Sequence, residues 1–205
     1  MPRLRSVLLA LCLLSVAVPV GAEEPSARLA RLHAALDADE LHVQIWWYGW
    51  SGLFAGAGGV QTGLAVLSND SAFRTQNLVS ATDSWLAVAG MALTPVKPGQ
   101  RWDLLADAPV DIRLKLAEAE LRDRARRERQ VGGWLDHALC AVVAVGSSAY
   151  LWLHEKQPGG ALMVGLSDLV IGEIQLLTVP HAAVHAVEVL DAERALPSAS
   201  TDTFR

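Results

Sequence analysis

The chain has 205 residues, of which 52% are hydrophobic and 19% charged, and its formal net charge is −5. Soluble domains are about one quarter charged, and a nucleic-acid-binding protein would need a basic face. The composition therefore favours a membrane protein and argues against nucleic acid as a partner. The two cysteines are Cys12 and Cys140, and an internal disulfide is not expected because the first lies in a predicted export signal.

The N-terminus has the pattern of an export signal. Arg3 and Arg5 precede an apolar stretch, Val7 to Val18, and the small residues Gly21 and Ala22 follow. The apolar stretch is shorter than the roughly 20 residues that a membrane-spanning helix needs. We predict a signal peptide over residues 1–22, cleaved before Glu23; the alternative is an uncleaved anchor.

Four hydrophobic segments follow an extracytoplasmic helical segment predicted over residues 23–44. No charged residue occurs from Ile45 to Asn69, which is enough chain to cross about 30 Å of hydrocarbon. Tryptophans crowd the first turns of this segment, as in an aromatic belt. We predict an all-α polytopic membrane protein with four transmembrane helices arranged as two hairpins (45–68, 75–96, 133–153 and 159–179). A soluble bundle is the alternative, but it would need a polar face on each helix.

The connection over residues 97–132 is rich in arginine and glutamate and predicts an extramembrane amphipathic helix. Its apolar stripe would consist of Ile112, Leu116 and Leu121. One interpretation is a helix that docks on anionic lipid. The favoured one is a solvated helix with the ion pairs Glu118–Arg122 and Asp123–Arg127.

The orientation is in conflict with the distribution of positive charge. The signal places the N-terminus, the connection and the C-terminal tail (181–205) outside the cytoplasm, and these regions carry thirteen Lys and Arg residues against two in the short turns. The positive-inside rule predicts the reverse arrangement. Because a signal commits the N-terminus early, we expect a multi-pass inner-membrane protein with extracytoplasmic N- and C-termini.

The second and fourth segments share a spacing that suggests an internal repeat. Asp83 and Asp168 each lie twelve residues before a proline, Pro95 and Pro180. Each half of the chain would then be one hairpin of the same orientation, a parallel repeat. Shared composition is the alternative explanation.

Four polar residues in these segments are the candidate intramembrane site: Asp83, Asp168, Glu173 and Gln175. A carboxylate at mid-membrane costs about 2.5–3.5 kcal/mol on insertion scales, so such groups are paired, protonated or in contact with water. With no lysine or arginine in the segments, a proton or cation role is more natural than anion transport. The structural alternative is interhelical hydrogen bonding by residues near the helix ends.

Glycines on the first segment predict a helix-packing face. Gly52, Gly56, Gly59 and Gly63 recur at the spacing of one helix face. Small residues there would let another backbone approach closely.

A weaker candidate is a metal site just beyond the fourth segment. His181 and His185 are spaced i,i+4, and Glu188 follows. This set would supply part of a metal site, although an incidental histidine pair is the favoured interpretation.

The run from Gly172 to Pro180, together with Trp46 to Trp50, resembles a group of uncharacterised bacterial membrane proteins. The resemblance implies an export signal, four hydrophobic helices and an Arg/Glu-rich central connection, and it implies no activity.

The sequence therefore favours a non-enzymatic structural or partner-binding membrane protein without a cofactor. Its partners would be the lipid bilayer and a second copy or another membrane protein. The alternatives are a small proton- or cation-coupled transporter or channel, and an outer-face metal or enzymatic site.

Overall fold

The computed structural model describes residues 24–98 and 107–195, and within these ranges the chain is helical, with no strand. The predicted all-α class is confirmed for this part of the chain; the predicted signal (1–22) and the end of the tail lie outside it. A π-helical turn, Tyr150–His154, follows the α-helix that ends at Ala149. The six α-helices are α1 (Pro25–Leu67), α2 (Ser71–Leu93), α3 (Val110–Gln130), α4 (Trp134–Ala149), α5 (Pro158–Leu177) and α6 (Ala182–Ala195).

Helix α1 is one uninterrupted helix of 43 residues, about 64 Å long at the rise of an α-helix. It joins the predicted segments 23–44 and 45–68 without a break. Pro25 occupies its first turn, where the fixed φ of proline suits a helix start. Asp70 starts α2 by accepting hydrogen bonds from the backbone N–H groups of Ala72 (2.8 Å) and Phe73 (3.1 Å), as an N-cap should.

Two pairs of helices pack with opposed chain directions. In the first pair, the C-terminal half of α1 contacts α2, and the Ser84 hydroxyl of α2 donates to the Gln61 side chain at 2.9 Å. In the second pair, α4 contacts α5, and the Ser148 hydroxyl donates to the carbonyl of Ala161 at 3.0 Å. Few contacts join the two pairs, which leaves space between them.

A separate three-helix bundle forms at one end of these pairs, and we call it the cap. It consists of residues 25–43 of α1 with α3 and α6. Its core contains Leu32, Leu36, Leu121 and Ala183, each at most 1% exposed. Ion pairs at its rim join different helices: Arg28–Glu118 (2.5 Å), Arg31–Glu193 (2.7 Å) and Arg122–Asp191 (2.5 Å).

The cap corrects the predicted apolar stripe of α3. Ile112 and Leu116 are exposed, and only Leu121 of that stripe is buried. The face that packs against α1 and α6 instead carries Leu114, Ala117, Leu121 and Ala125. The predicted Asp123–Arg127 pair is present at 2.7 Å, whereas Glu118 pairs with Arg28 and Arg194 rather than with Arg122.

Two helical stretches in the described ranges are long and apolar enough to cross a membrane, Val110–His154 and Pro158–Ala195. Of the most apolar 18 residues in each stretch, only 11% in the first and 17% in the second are buried inside the protein. A core helix of a soluble protein would be mostly buried. The apolar surface of these two stretches therefore lies largely uncovered by the rest of the chain.

Candidate functional site

A cleft of about 560 Å³ separates the two helix pairs. Residues from α1, α2, α4 and α5 line it. Its polar lining residues are Gln61, Gln76, Asn77, Ser80, Asp83, Ser84, Asp136, Ser167, Asp168 and Gln175, and its walls between them are apolar. The described lining includes no lysine, arginine or histidine, so every formal charge on the cleft wall is negative.

Asp83 and Asp168 come together inside this cleft, one from each helix pair. Their carboxyl groups are close enough to interact electrostatically. The Ser147 hydroxyl of α4 donates to Asp83 Oδ2 at 2.7 Å. Asp168 Oδ2 is buried, and no N–H or hydroxyl group of the described residues donates to it. The pair therefore lacks a compensating cation and has room for a proton or a positively charged group.

Helical spacing explains how the two aspartates face the cleft. On α2, Asp83 shares the lining with Ala87 and Gly90, four and seven residues further along. On α5, Asp168 shares it with Gly172 and Gln175 at the same offsets. Residues at i, i+4 and i+7 lie on one face of a helix, and the small side chains leave the cleft open beside each acid.

Glu173 lies outside this lining. Its carboxylate pairs with His137 Nδ1 at 2.8 Å and so ties α5 to α4. Neither Asp136 nor His137 was among the predicted site residues, yet both have defined roles. Asp136 accepts from the backbone N–H groups of Gly132 (2.8 Å) and Gly133 (3.2 Å). An acid three residues into a helix that follows Gly-Gly is a capping signal, and it could have been found in the sequence.

Three tryptophans of α1 hold the cap-side ends of α2 and α5. The Trp47 indole N–H donates to the carbonyl of Met91 at 3.0 Å, and that of Trp46 donates to the carbonyl of Gln175 at 3.2 Å. Trp50 donates to the Thr178 hydroxyl at 3.1 Å. The Gln175 side chain contacts the Met91 sulfur at 2.9 Å. These contacts fix the spacing of the two helix pairs at this end of the cleft.

The proposed repeat is not matched by these tryptophan contacts. Trp134 precedes Asp168 by 34 residues, much as Trp47 precedes Asp83 by 36, but Trp134 is 80% exposed. Helix α1 instead supplies the indole donors to both pairs. Asp83 and Asp168 occupy equivalent positions in the two halves and both line the cleft. Trp47 and Trp134 do not behave alike, because Trp47 donates to Met91 and Trp134 is exposed.

The predicted glycine face of α1 packs against nothing in the part of the chain that the structure describes. A Cβ built on Gly52, Gly56, Gly59 or Gly63 would have no atom within 4 Å. Close helix packing occurs on α5 instead. A Cβ on Gly165 would lie 1.9 Å from Ser148 Oγ, and one on Gly172 would lie 2.2 Å from Cys140 Sγ. The prediction that small residues bring backbones together therefore applies to α4 and α5 within this chain.

The candidate metal ligands do not form a cluster. His181 Nδ1 lies 2.7 Å from the carbonyl of Val179, and His185 lies 3.5 Å from Glu188. Within residues 24–98 and 107–195, no group of three or more His, Cys, Asp or Glu side chains could hold a metal ion. The histidine pair thus gains no further ligand from the described fold.

A second buried polar centre lies in the cap, beside the cap-side end of the helix pairs. Arg124 is 6% exposed and pairs with Asp39 (3.1 Å), Glu40 (3.3 Å) and Glu120 (3.0 Å). Sequence reasoning treated the arginines of this connection as surface groups. Arg124 instead compensates the charge of Asp39, which is 1% exposed.

Glu128 completes this centre and anchors α6. Its carboxyl accepts from the backbone N–H groups of Val184 (2.9 Å) and Ala183 (3.4 Å) in the first turn of α6. Burial, and to a smaller extent the neighbouring Asp39 carboxyl, raise the pKa of Glu128 to about 8. Asp39 Oδ1 is buried with no N–H or hydroxyl donor, so a proton on Glu128 has an acceptor there.

No protein-family profile, curated protein or solved structure matches this chain. Its function is therefore inferred from the chemistry of the cleft itself. Two adjacent carboxyl groups repel each other when both are ionised, and no described basic side chain relieves that repulsion. On electrostatic grounds, such a site favours a proton or a cation over an anion.

Proposed function

We propose that the protein is an integral membrane protein that carries a proton or another cation through the cleft between two membrane hairpins. Residues 45–67 with α2 form the first hairpin, and α4 with α5 forms the second. The Asp83–Asp168 pair is the observation that carries the proposal. It places two acids side by side between predicted membrane helices, in a cleft whose described lining holds no basic side chain, and an acid within a membrane segment is functional by default.

The exposed apolar surface supports membrane placement. Leu67, Val142 and Leu177 are 81%, 67% and 76% exposed, and water does not favour a continuous surface of this kind. Except for four acids (Asp83, Asp136, Asp168 and Glu173), the charged side chains of the described ranges lie in or next to the cap or in the short turns 70–74 and 154–158. Alkaline extraction of native membranes tests the placement: the chain is expected to remain in the membrane pellet, and release into the supernatant would contradict it.

We propose further that the cap lies outside the cytoplasm, as the export signal implies. Asp111→Cys and Glu155→Cys are made separately in a Cys140→Ser chain. The first places a single cysteine in the cap, and the second places one in the turn between α4 and α5. An impermeant maleimide added to intact spheroplasts should label the first and spare the second. The reverse labelling pattern would place the cap in the cytoplasm, as the positive-inside rule requires.

Flux in proteoliposomes tests the transport function. The wild type should carry protons or monovalent cations down an imposed gradient, and Asp168→Asn should abolish this flux because the pair then loses one of its two titratable carboxyl groups. Asp111→Asn, in the cap, is the matched control and should keep wild-type flux. A wild type that carries no ion, or an Asp168→Asn variant with full flux, would overturn the proposal.

A second candidate function, self-association, rests on the open glycine face of α1. Gly52, Gly56 and Gly59 face open space rather than another helix of the chain, and small-residue faces bring membrane helices close together. In mild detergent the wild type should run as an oligomer that Gly56→Leu disrupts and Gly90→Leu, on α2, does not. A strictly monomeric wild type would contradict this candidate.

A further inference from the structure

We propose that the cleft takes an organic ammonium ion with an apolar body, rather than only a proton or a metal ion. This inference rests on the proposed function, because it names the class of cation that the same cleft would bind. It depends on three features of the cleft: its volume, the position of its charge and the character of its walls.

The volume of the cleft exceeds what an inorganic ion needs. At about 560 Å³, it lies within the range of about 300–1,000 Å³ that is typical of small-molecule sites. A hard cation such as Ca²⁺ needs six to eight oxygen ligands at about 2.3–2.6 Å. No metal-binding cluster of His, Cys, Asp and Glu is present in the described ranges, so the cleft has space for a larger ion and lacks a cage for a small one.

The charge in the cleft is placed for a group with several N–H donors. Asp83 already accepts from Ser147, and Asp168 Oδ2 is buried without a donor. An ammonium group can donate three hydrogen bonds, so it can donate to both carboxyl groups at once and compensate one negative charge. A buried charge without such a partner is costly, which gives the cleft its preference for a positive ligand.

The walls beside the two aspartates are apolar. Leu86 lies on α2, Val143 on α4, and Met163 and Ile171 on α5. Methionine adapts its shape to irregular apolar groups, and burial of apolar area contributes about 25 cal/mol per Å². A ligand with an alkyl or aryl body would fill this space, whereas a hydrated metal ion would leave the walls in contact with water.

Cys140 provides a reporter for the test, since it also lines the cleft. The full chain in detergent is labelled with N-ethylmaleimide in the presence of benzylammonium, benzyl alcohol or benzoate. These three probes share a ring and differ in charge. Benzylammonium at roughly ten times its Kd should slow the labelling about tenfold, and benzoate should leave the rate unchanged. Asp168→Asn should abolish the protection, and Ala87→Cys in a Cys140→Ser chain should repeat the pattern from α2.

The outcomes separate this inference from the function on which it rests. Equal protection by all three probes would show an apolar cavity without charge selection and would overturn the inference. Absence of protection by benzylammonium at both reporters would also overturn it, and proton or cation flux in proteoliposomes would then leave the proposed function standing. If benzylammonium protects the cysteine but the protein shows no ion flux, the ligand class is supported and the proposed transport function is contradicted.

Discussion

Trp46 donates its indole N–H to the backbone carbonyl of Gln175 at 3.2 Å, which joins the first helix pair to the second. The two residues are 129 positions apart in the chain. Trp46 is also 6% exposed, so its ring belongs to the core rather than to a lipid-facing aromatic belt. The contact lies where the cap, α1 and α5 converge, and it therefore contributes to the width of the cleft.

Replacing Trp46 by phenylalanine should weaken this junction. The ring is largely kept while the donor is lost, and a typical hydrogen bond contributes about 1 kcal/mol. Trp134→Phe is the matched control, because Trp134 is 80% exposed and surface substitutions stay within about 0.5 kcal/mol. Denaturation in detergent checks both variants, and an equal effect of the two would contradict the role of the indole donor.

Arg124→Gln should destabilise the cap strongly. The substitution leaves Asp39 buried without its cation, and breaking a buried ion pair in this way costs about 3–5 kcal/mol. Arg126→Gln is the control on the same helix: its side chain is 72% exposed and pairs with Asp123, so it should change stability by less than about 1 kcal/mol. Similar unfolding midpoints for the two variants would rule out a structural role for the buried pair.

The anchoring of α6 should weaken at alkaline pH. The pKa of Glu128 is about 8 in the folded chain and higher than its ordinary value of 4.5, so the folded state binds the extra proton between these values. The stability that this proton confers is complete below pH 4.5 and is lost as the pH rises through 8. Hydrogen exchange of the α6 amides, corrected for intrinsic rate, should therefore accelerate above that pH.

Glu128→Gln tests this pH dependence, because glutamine imitates the protonated acid and can still accept from Val184 and donate to Asp39. The variant should keep its α6 protection at alkaline pH. Glu128→Ala should lose protection at every pH, since an unpaired buried N–H costs about 1–3 kcal/mol. An α6 protection profile that falls equally in the wild type and in Glu128→Gln would exclude titration of Glu128 as the cause.

Glycine positions should differ sharply in their tolerance of alanine. Gly165→Ala would push against Ser148 and the carbonyl of Ala144, and overpacking of this kind costs about 1–3 kcal/mol. Gly52→Ala meets open space and should be neutral or stabilising by up to about 1 kcal/mol through helix propensity. Unfolding of the two variants in detergent, where the chain is dispersed, provides the comparison; a more harmful Gly52→Ala would indicate that α1 packs against another chain.

The helices and the facing acids could be predicted from local patterns. Apolar segments and a spacing of i, i+4 and i+7 are properties of neighbouring residues, and they suffice to place Asp83 and Asp168 on the small-residue faces of α2 and α5. Their partners were harder to predict. Ser147 lies 64 residues from Asp83. Nothing in either segment specifies that the Ser147 hydroxyl and the Asp83 carboxylate meet.

The cap was missed for a related physical reason. Half of the apolar stripe of α3 is alanine, which periodicity counts weakly, and its partners lie on α1 and α6 at opposite ends of the chain. The glycine spacing on α1 identifies a helix face and does not identify what covers it, so the packing role of that face stays a prediction. Gly165 and Gly172 are seven residues apart, and a search for small residues at that spacing on α5 would have found them.

The reaction of Cys140 with charged thiol reagents in intact membranes tests the central claim most directly. A water-filled, carboxyl-lined cleft predicts that a positively charged methanethiosulfonate reacts faster than a negatively charged one of similar size. The difference should disappear when Asp83 and Asp168 are both replaced by asparagine. Equal rates for the two reagents in the wild type, or reaction with neutral N-ethylmaleimide alone, would contradict the claim.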